Sequence, residues 1–184
     1  MLRPSALAPL AALALLLTGC SSAPEAPAAP SPEPSASSPF ASEEEAVAAA
    51  DALIKEYWAA TNEVYQSGGE KLELLRPLVT DERMASEQVG VEIFQRGKFT
   101  QVGEYMTDGT RFQQMYNSGG LTHLIVTTCV DYSGVRAFNA AGQEAQRETP
   151  EPRFLHQVTL VAAPTAGDTK LQLVTSEPWP ESPC

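Results

Sequence analysis

The chain has 184 residues, with 12 lysines and arginines against 23 aspartates and glutamates and a formal net charge of −11. Its basic residues are scattered singly, so it carries no electrostatic footprint for a phosphate backbone, and nucleic acid is excluded as a partner class. Net negative charge of this size aids solubility.

Residues 1–19 have the layout of an export signal. Arg3 supplies a positive charge ahead of an Ala/Leu run from Ala6 to Leu17, interrupted only by Pro9. As a helix that run would rise about 18 Å, short of the ~30 Å hydrocarbon core, so a transmembrane span is not expected. It closes on Leu17-Thr18-Gly19-Cys20, which resembles the bacterial lipobox at all four positions. The resemblance implies a diacylglycerol on the Cys20 sulfur and cleavage that leaves Cys20 as the N-terminus. It also implies a protein held by lipid at the extracytoplasmic face of the cell membrane, with a net charge of −12 once Arg3 is lost (−11 less one positive charge). Two or more acyl chains, at ~0.8 kcal/mol per buried methylene, anchor stably where one gives reversible contact. The competing readings are an ordinary secretory signal with an incidental cysteine and a core helix.

Ser21 to Ser42 consists of Pro, Ser and Ala with only Glu25, Glu33 and Phe40 besides. Such a stretch has too little apolar surface to offset its ordering entropy and reads as a disordered linker. Prolines at 24, 27, 30, 32, 34 and 39 favour polyproline II, giving a reach of about 65 Å. The division expected is therefore a signal peptide at 1–19, a lipidated cysteine and linker at 20–42, and one domain at 43–184, near the usual size for a single core.

Ser42-Glu43-Glu44-Glu45 is a capping box, with three glutamates at the positive end of a helix dipole. Behind it Val47, Ala50, Leu53, Ile54, Tyr57, Trp58, Thr61, Val64 and Tyr65 form one apolar stripe, stopped by Ser67-Gly68-Gly69. A short helical piece at Lys71 to Arg76 is cut by Pro77. Thr80 caps another helix through about Gln95, carrying Met84, Val91 and Phe94. Asp108-Gly109 reads as a tight turn between extended pieces at Val102 to Met106 and Arg111 to Tyr116.

From Leu121 the period becomes two. Along Leu121 to Tyr132, Leu124, Val126, Val130 and Tyr132 share one face and His123, Ile125, Thr127 and Cys129 the other. Val135 to Phe138 follows, then a polar turn at Asn139 to Gly142 and an exposed edge or loop at Gln143 to Pro152. A strand at Phe154 to Ala162, a hairpin turn at Thr165 to Asp168 and a strand at Lys170 to Thr175 complete the chain. Helices followed by consecutive strands predict an α+β domain, its N-terminal helices packed on an antiparallel sheet.

With Cys20 assigned to lipid, Cys129 and Cys184 remain in a compartment where disulfides persist. A structural bond between them would close a loop of 55 residues (184 minus 129), worth about 4 kcal/mol by chain entropy. The alternative is a redox-active or metal-binding pair, for which there is no Cys-x-x-Cys spacing and no adjacent activating base.

This order of elements resembles the cone-shaped domain of nuclear transport factor 2 and ketosteroid isomerase relatives, whose antiparallel sheet is curved. Thr128-Cys129-Val130-Asp131-Tyr132-Ser133-Gly134-Val135, followed by Asn139-Ala140-Ala141-Gly142, is similar to actinobacterial lipoproteins of unassigned activity, in which a Cys-x-Asp strand precedes a Gly turn and a late cysteine. The usual Trp of the last strand has no counterpart at Leu171 to Leu173, and Trp179 is placed beyond that strand.

The resemblance implies that Tyr57, Trp58, Phe94, Tyr116 and Tyr132 are candidates to line a cone pocket, with core filling as the competing role. Asp131 and Tyr132 point to opposite faces and cannot act together; Asp131 is expected to be exposed or to pair with the following turn. His123 and His156 would need a third ligand to bind metal, and none stands at a diagnostic spacing. No cofactor, metal site or catalytic residue is therefore assigned. Three readings follow: a non-enzymatic head binding an envelope protein or small ligand, a small-molecule binder or isomerase-like enzyme, and an assembly factor for a secretion or conjugation machine.

Overall fold

Ser42 opens the first helix, α1 (Glu43–Gln66), as the sequence predicts. Its Oγ accepts from the Glu45 amide at 3.2 Å, and the Glu45 carboxylate accepts from the Ala41 amide at 2.7 Å. The buried face runs Ala46, Ala50, Leu53, Ile54, Tyr57, Trp58, Thr61, Asn62 and Val64; Val47 sits half-buried at its border. Gly68 and Gly69, both at positive φ, turn the chain out of the helix, and the Gly69 amide returns to the Val64 carbonyl at 2.8 Å. A single 3-10 turn, Leu72–Leu75, stands where the short helical piece was expected. Thr80 then caps α2 (Asp81–Arg96) by accepting from the Arg83 amide at 3.3 Å.

The computed structural model describes residues 38–146, 152–162 and 170–184. The export signal, Cys20, the linker up to residue 37 and the turn expected at Thr165 to Asp168 lie outside the described residues. Among the described residues six strands follow the helices: β1 (Thr100–Val102), β2 (Met106–Ser118), β3 (Leu121–Asp131), β4 (Arg136–Phe138), β5 (Arg153–Ala162) and β6 (Leu171–Pro183). β1 pairs with β4, and β2-β3-β5-β6 form an antiparallel sheet in that order. The fold is α+β, with the helices on one face of the sheet. Phe112, Met115, Leu124, Val126, Val130, Val158, Leu160 and Leu173 meet the buried stripe of α1 in one core cluster. Phe40 belongs to that cluster although its neighbours read as linker. A ring just before the cap packs its helix onto the core.

The α1 helix runs antiparallel to β2. Ser38 Oγ lies 3.7 Å from Met115 Sδ, Thr110 Oγ1 donates to Asp51 Oδ1 at 2.7 Å, and the Tyr105 amide donates to Asn62 Oδ1 at 2.8 Å. The tight turn expected at Asp108-Gly109 is not there. β2 continues through it with a register shift between Asp108 and Arg111, and Gly109, at φ +68°, supplies the left-handed residue of a bulge. The turn signal was real but local. The hairpin turn lies instead at Gly119-Gly120, between the paired Ser118 and Leu121.

The last strand is also longer than expected. β6 continues past Thr175 to Pro183, so Trp179 lies on the strand, opposite Leu155. Its prolines are tolerated because β6 is an edge strand. Beyond it Cys184 is bonded to Cys129 of β3, with Cα atoms 5.9 Å apart. The disulfide therefore spans β5, which lies between β3 and β6.

Two outcomes test this packing. Cys184→Ser removes a 55-residue cross-link and is expected to cost about 4 kcal/mol in urea unfolding of the oxidised protein. Gly103 sits at φ +81°, and a Cβ there would stand 1.8 Å from the Gly134 carbonyl oxygen. Gly103→Ala is expected to cost at least about 2 kcal/mol, read as a lowered urea midpoint with an unchanged m-value.

Candidate functional site

Beside the C-terminal half of α1, aromatic side chains converge from α1, from β5 and from the segments that precede β2 and follow β3. His156 stands on the helix-facing side of β5, opposite Thr128. Its Nε2 is 2.5 Å from the Tyr132 hydroxyl and its Nδ1 is 2.9 Å from Ser176 Oγ on β6. Two proton arrangements satisfy both ring nitrogens: Tyr132 O–H donates to Nε2 while Nδ1–H donates to Ser176, or Nε2–H donates to Tyr132 while Ser176 O–H donates to Nδ1. Trp58 stands edge-on to Tyr132 and His156 with centroids 6.2 and 6.0 Å away, and packs on Tyr105 at 4.9 Å. Phe154 stacks on both Tyr132 and His156.

Placement of these rings follows from backbone and amide contacts. The Tyr132 amide donates to the Pro152 carbonyl at 2.6 Å. Tyr105 is held by Asn62, which accepts from the Tyr105 amide and donates to its carbonyl at 3.2 Å, while Gln101 donates to Asn62 Oδ1 at 3.0 Å.

Burial, with the Arg83 charge second, pulls the His156 pKa down to about 4, so the imidazole is neutral at neutral pH. Burial, then the neighbouring Tyr105, pushes the Tyr132 hydroxyl well above the usual phenol value.

Behind the rings lies a charged group. Glu87 of α2, 7% exposed, accepts from the Tyr57 hydroxyl at 2.5 Å and from Arg83 Nε at 2.7 Å. Arg83 also donates to the Tyr57 hydroxyl at 2.9 Å. Burial, and then Glu87, raises the Tyr57 pKa strongly. Sequence reasoning missed Glu87, although the signal was present: it stands three residues after Met84 and four before Val91, on the buried stripe of α2. Trp58 Nε1 and Thr61 Oγ1, one turn apart, are buried with no hydrogen-bond partner among the described residues.

Of the residues proposed from sequence to line a pocket, Tyr57, Trp58 and Tyr132 come together. Phe94 and Tyr116 do not join them. Phe94 packs against Tyr65 and Phe99, at 4.9 and 5.7 Å, on the α2 side. Tyr116 lies on the face of the sheet away from the helices, because β2 pairs it with His123; the two rings stack at 4.8 Å and Tyr116 is 40% exposed.

The pleat likewise separates the two histidines. His123 lies opposite Val161 and His156 opposite Thr128, on different faces of the sheet, so the imidazoles do not converge. Asp131 accepts from the Ser133 amide at 2.7 Å, the pairing with the following turn that the sequence suggests.

Surface grooves among the described residues lie elsewhere. One, about 710 Å³, runs between the N-terminal half of α1 and the β2 bulge; Glu43, Glu44, Val47, Arg111 and Phe112 are among its walls. Another, about 250 Å³, lies between the Leu72 turn and α2. Tyr57, Trp58 and Tyr132 line neither.

The chain matches no protein-family model and no curated protein. Among solved structures it is similar to the intermembrane space region of the chloroplast protein ARC6, with a TM-score of 0.51 at 6% identity, covering 72% of this chain and 95% of that one. An NTF2-like protein of unknown function from Exiguobacterium sp. 255-15 aligns with a TM-score of 0.29 at 12% identity, covering 68% of this chain and 97% of that one. The ARC6 likeness is one of fold alone.

His156 makes stability depend on pH. Its folded pKa, about 4, lies below the ordinary value of 6.5. The unfolded chain therefore binds more protons between these values, and stability falls as pH drops from about 6.5 toward 4. Urea unfolding across that window should lose up to about 3 kcal/mol from this group. His156→Gln should flatten the slope while lowering stability at pH 7.

Proposed function

We propose that this protein is a lipid-anchored extracytoplasmic lipoprotein whose α+β head, a distant cousin of the nuclear transport factor 2 cone, binds a partner without catalysing a reaction. The observation that carries the reading is the Cys129–Cys184 disulfide. A structural disulfide suits an oxidising compartment. It also accounts for two of the three cysteines and leaves Cys20, at the lipobox position, for the lipid. The net charge of −11 and the scattered basic residues leave the acyl chains, rather than the head, to hold the membrane.

Chemistry within the aromatic cluster supports binding over catalysis. A general acid or base works best with a pKa near the operating pH. His156 lies far below neutrality, the Tyr132 hydroxyl far above it, and Glu87 is held by Arg83 and Tyr57. Such groups fix a shape.

Mass spectrometry of the membrane-extracted protein tests the anchor. The expected species begins at Cys20, carries acyl chains there and gains two thiol-reactive sites only after reduction. Cys20→Ala should release the head from the membrane fraction. An unacylated mature chain with free thiols at 129 and 184 would overturn the reading.

A further inference from the structure

Building on the reading of the head as a binding module, we infer that it takes an extended peptide by strand addition along the outer edge of β2, in the groove walled by α1. The four-stranded sheet has two edges, β2 and β6. The β6 edge carries prolines at 178, 180 and 183, which lack the amide that an added strand needs. β2 has no proline in its 13 residues, and β3 is its partner in the sheet. The groove of about 710 Å³ is of ligand size and follows this strand from Asp108 to Phe112.

The groove is also held rigid. Thr110 donates to Asp51 at 2.7 Å and lies 3.1 Å from the Thr128 hydroxyl, while Thr128 donates to the Asp108 carbonyl at 3.1 Å. These bonds fix the bulge at Gly109 against both α1 and β3. A docking peptide would meet a preformed surface.

Charges on the two walls specify the peptide. Asp51 is paired with Lys55, and Asp108 with Arg153 through both oxygens at 2.7 and 2.8 Å. That leaves Glu43 and Glu44 on the helix wall and Arg111 on the strand wall, none of them in an ion pair among the described residues. Val47 and Phe112 supply apolar surface. The complement is an extended segment with a cationic side chain or amine facing the glutamates, β-branched residues between, and a carboxylate facing Arg111. The chain's own linker is a poor occupant, since prolines at 24, 27, 30, 32, 34 and 39 interrupt its amides.

The test uses the full acylated chain in detergent micelles and a fluorescent peptide, Lys-Val-Thr-Val-Thr-Val-Glu, read by anisotropy. Saturable binding is expected, abolished when alternate peptide amides are N-methylated and weakened about tenfold by Arg111→Glu or by Glu43→Lys with Glu44→Lys. No saturable binding, or binding that neither N-methylation nor Arg111→Glu moves, overturns the inference. So does concentration-dependent self-association that the peptide fails to displace, which would make a second copy the occupant. An acylated chain that ignores the peptide sinks this inference while leaving the anchor standing. A peptide-binding chain without acyl groups does the reverse.

Discussion

A buried amide sets where the first helix meets the sheet. Asn62 is 7% exposed, and both its oxygen and its nitrogen are engaged by the Tyr105 backbone and by Gln101. Apolar burial along α1 is strong but unspecific; a helix sliding by one turn on Val, Leu and Ile side chains would lose little. Buried hydrogen-bonding groups are different, because a slip leaves each of them unsatisfied at a cost of about 1–3 kcal/mol. Asp51 on Thr110 repeats the same logic three turns earlier. These two contacts hold α1 in register along β2, and both the aromatic cluster and the groove inherit their geometry from that register.

What the sequence made legible were features written in periodicity and capping. Ser42 with Glu45, Thr80 with Arg83, and the alternation through Leu121 to Val130 each declare a local structure whose energy comes from neighbouring residues. Partners distant in sequence were harder to read. Gly109 carries the same turn signal in a bulge as in a hairpin, and the choice was made by Thr128, 18 residues away from Thr110. The extension of β6 past Thr175 is not legible in the sequence because edge position, which excuses its prolines, belongs to the sheet.

The candidate site divides along the same line. Three of the five aromatic residues converge, since Tyr57 and Trp58 lie on the α1 stripe and Tyr132 follows the inward face of β3. Tyr116 faces outward because the sheet pairs it with His123, a register that its own segment does not declare; the two extra residues in β2, one before Arg111 and one before Gln114, cancel in face parity by that point. Phe94 faces a separate ring cluster with Tyr65 and Phe99. Glu87 was concealed by its own charge: a carboxylate on a buried stripe looks like an interruption until Tyr57 and Arg83 are seen around it.

The bridge from Cys184 to Cys129 passes over the end of β5, whose neighbours on either side are the two strands it joins. Those three strands consequently open as one cooperative block, while β2 is held separately, by its ladder to β3 and by the Thr110–Asp51 bond to α1. Amide protons of the sheet should therefore exchange most slowly beneath the sulfur bridge, where three strands must part together.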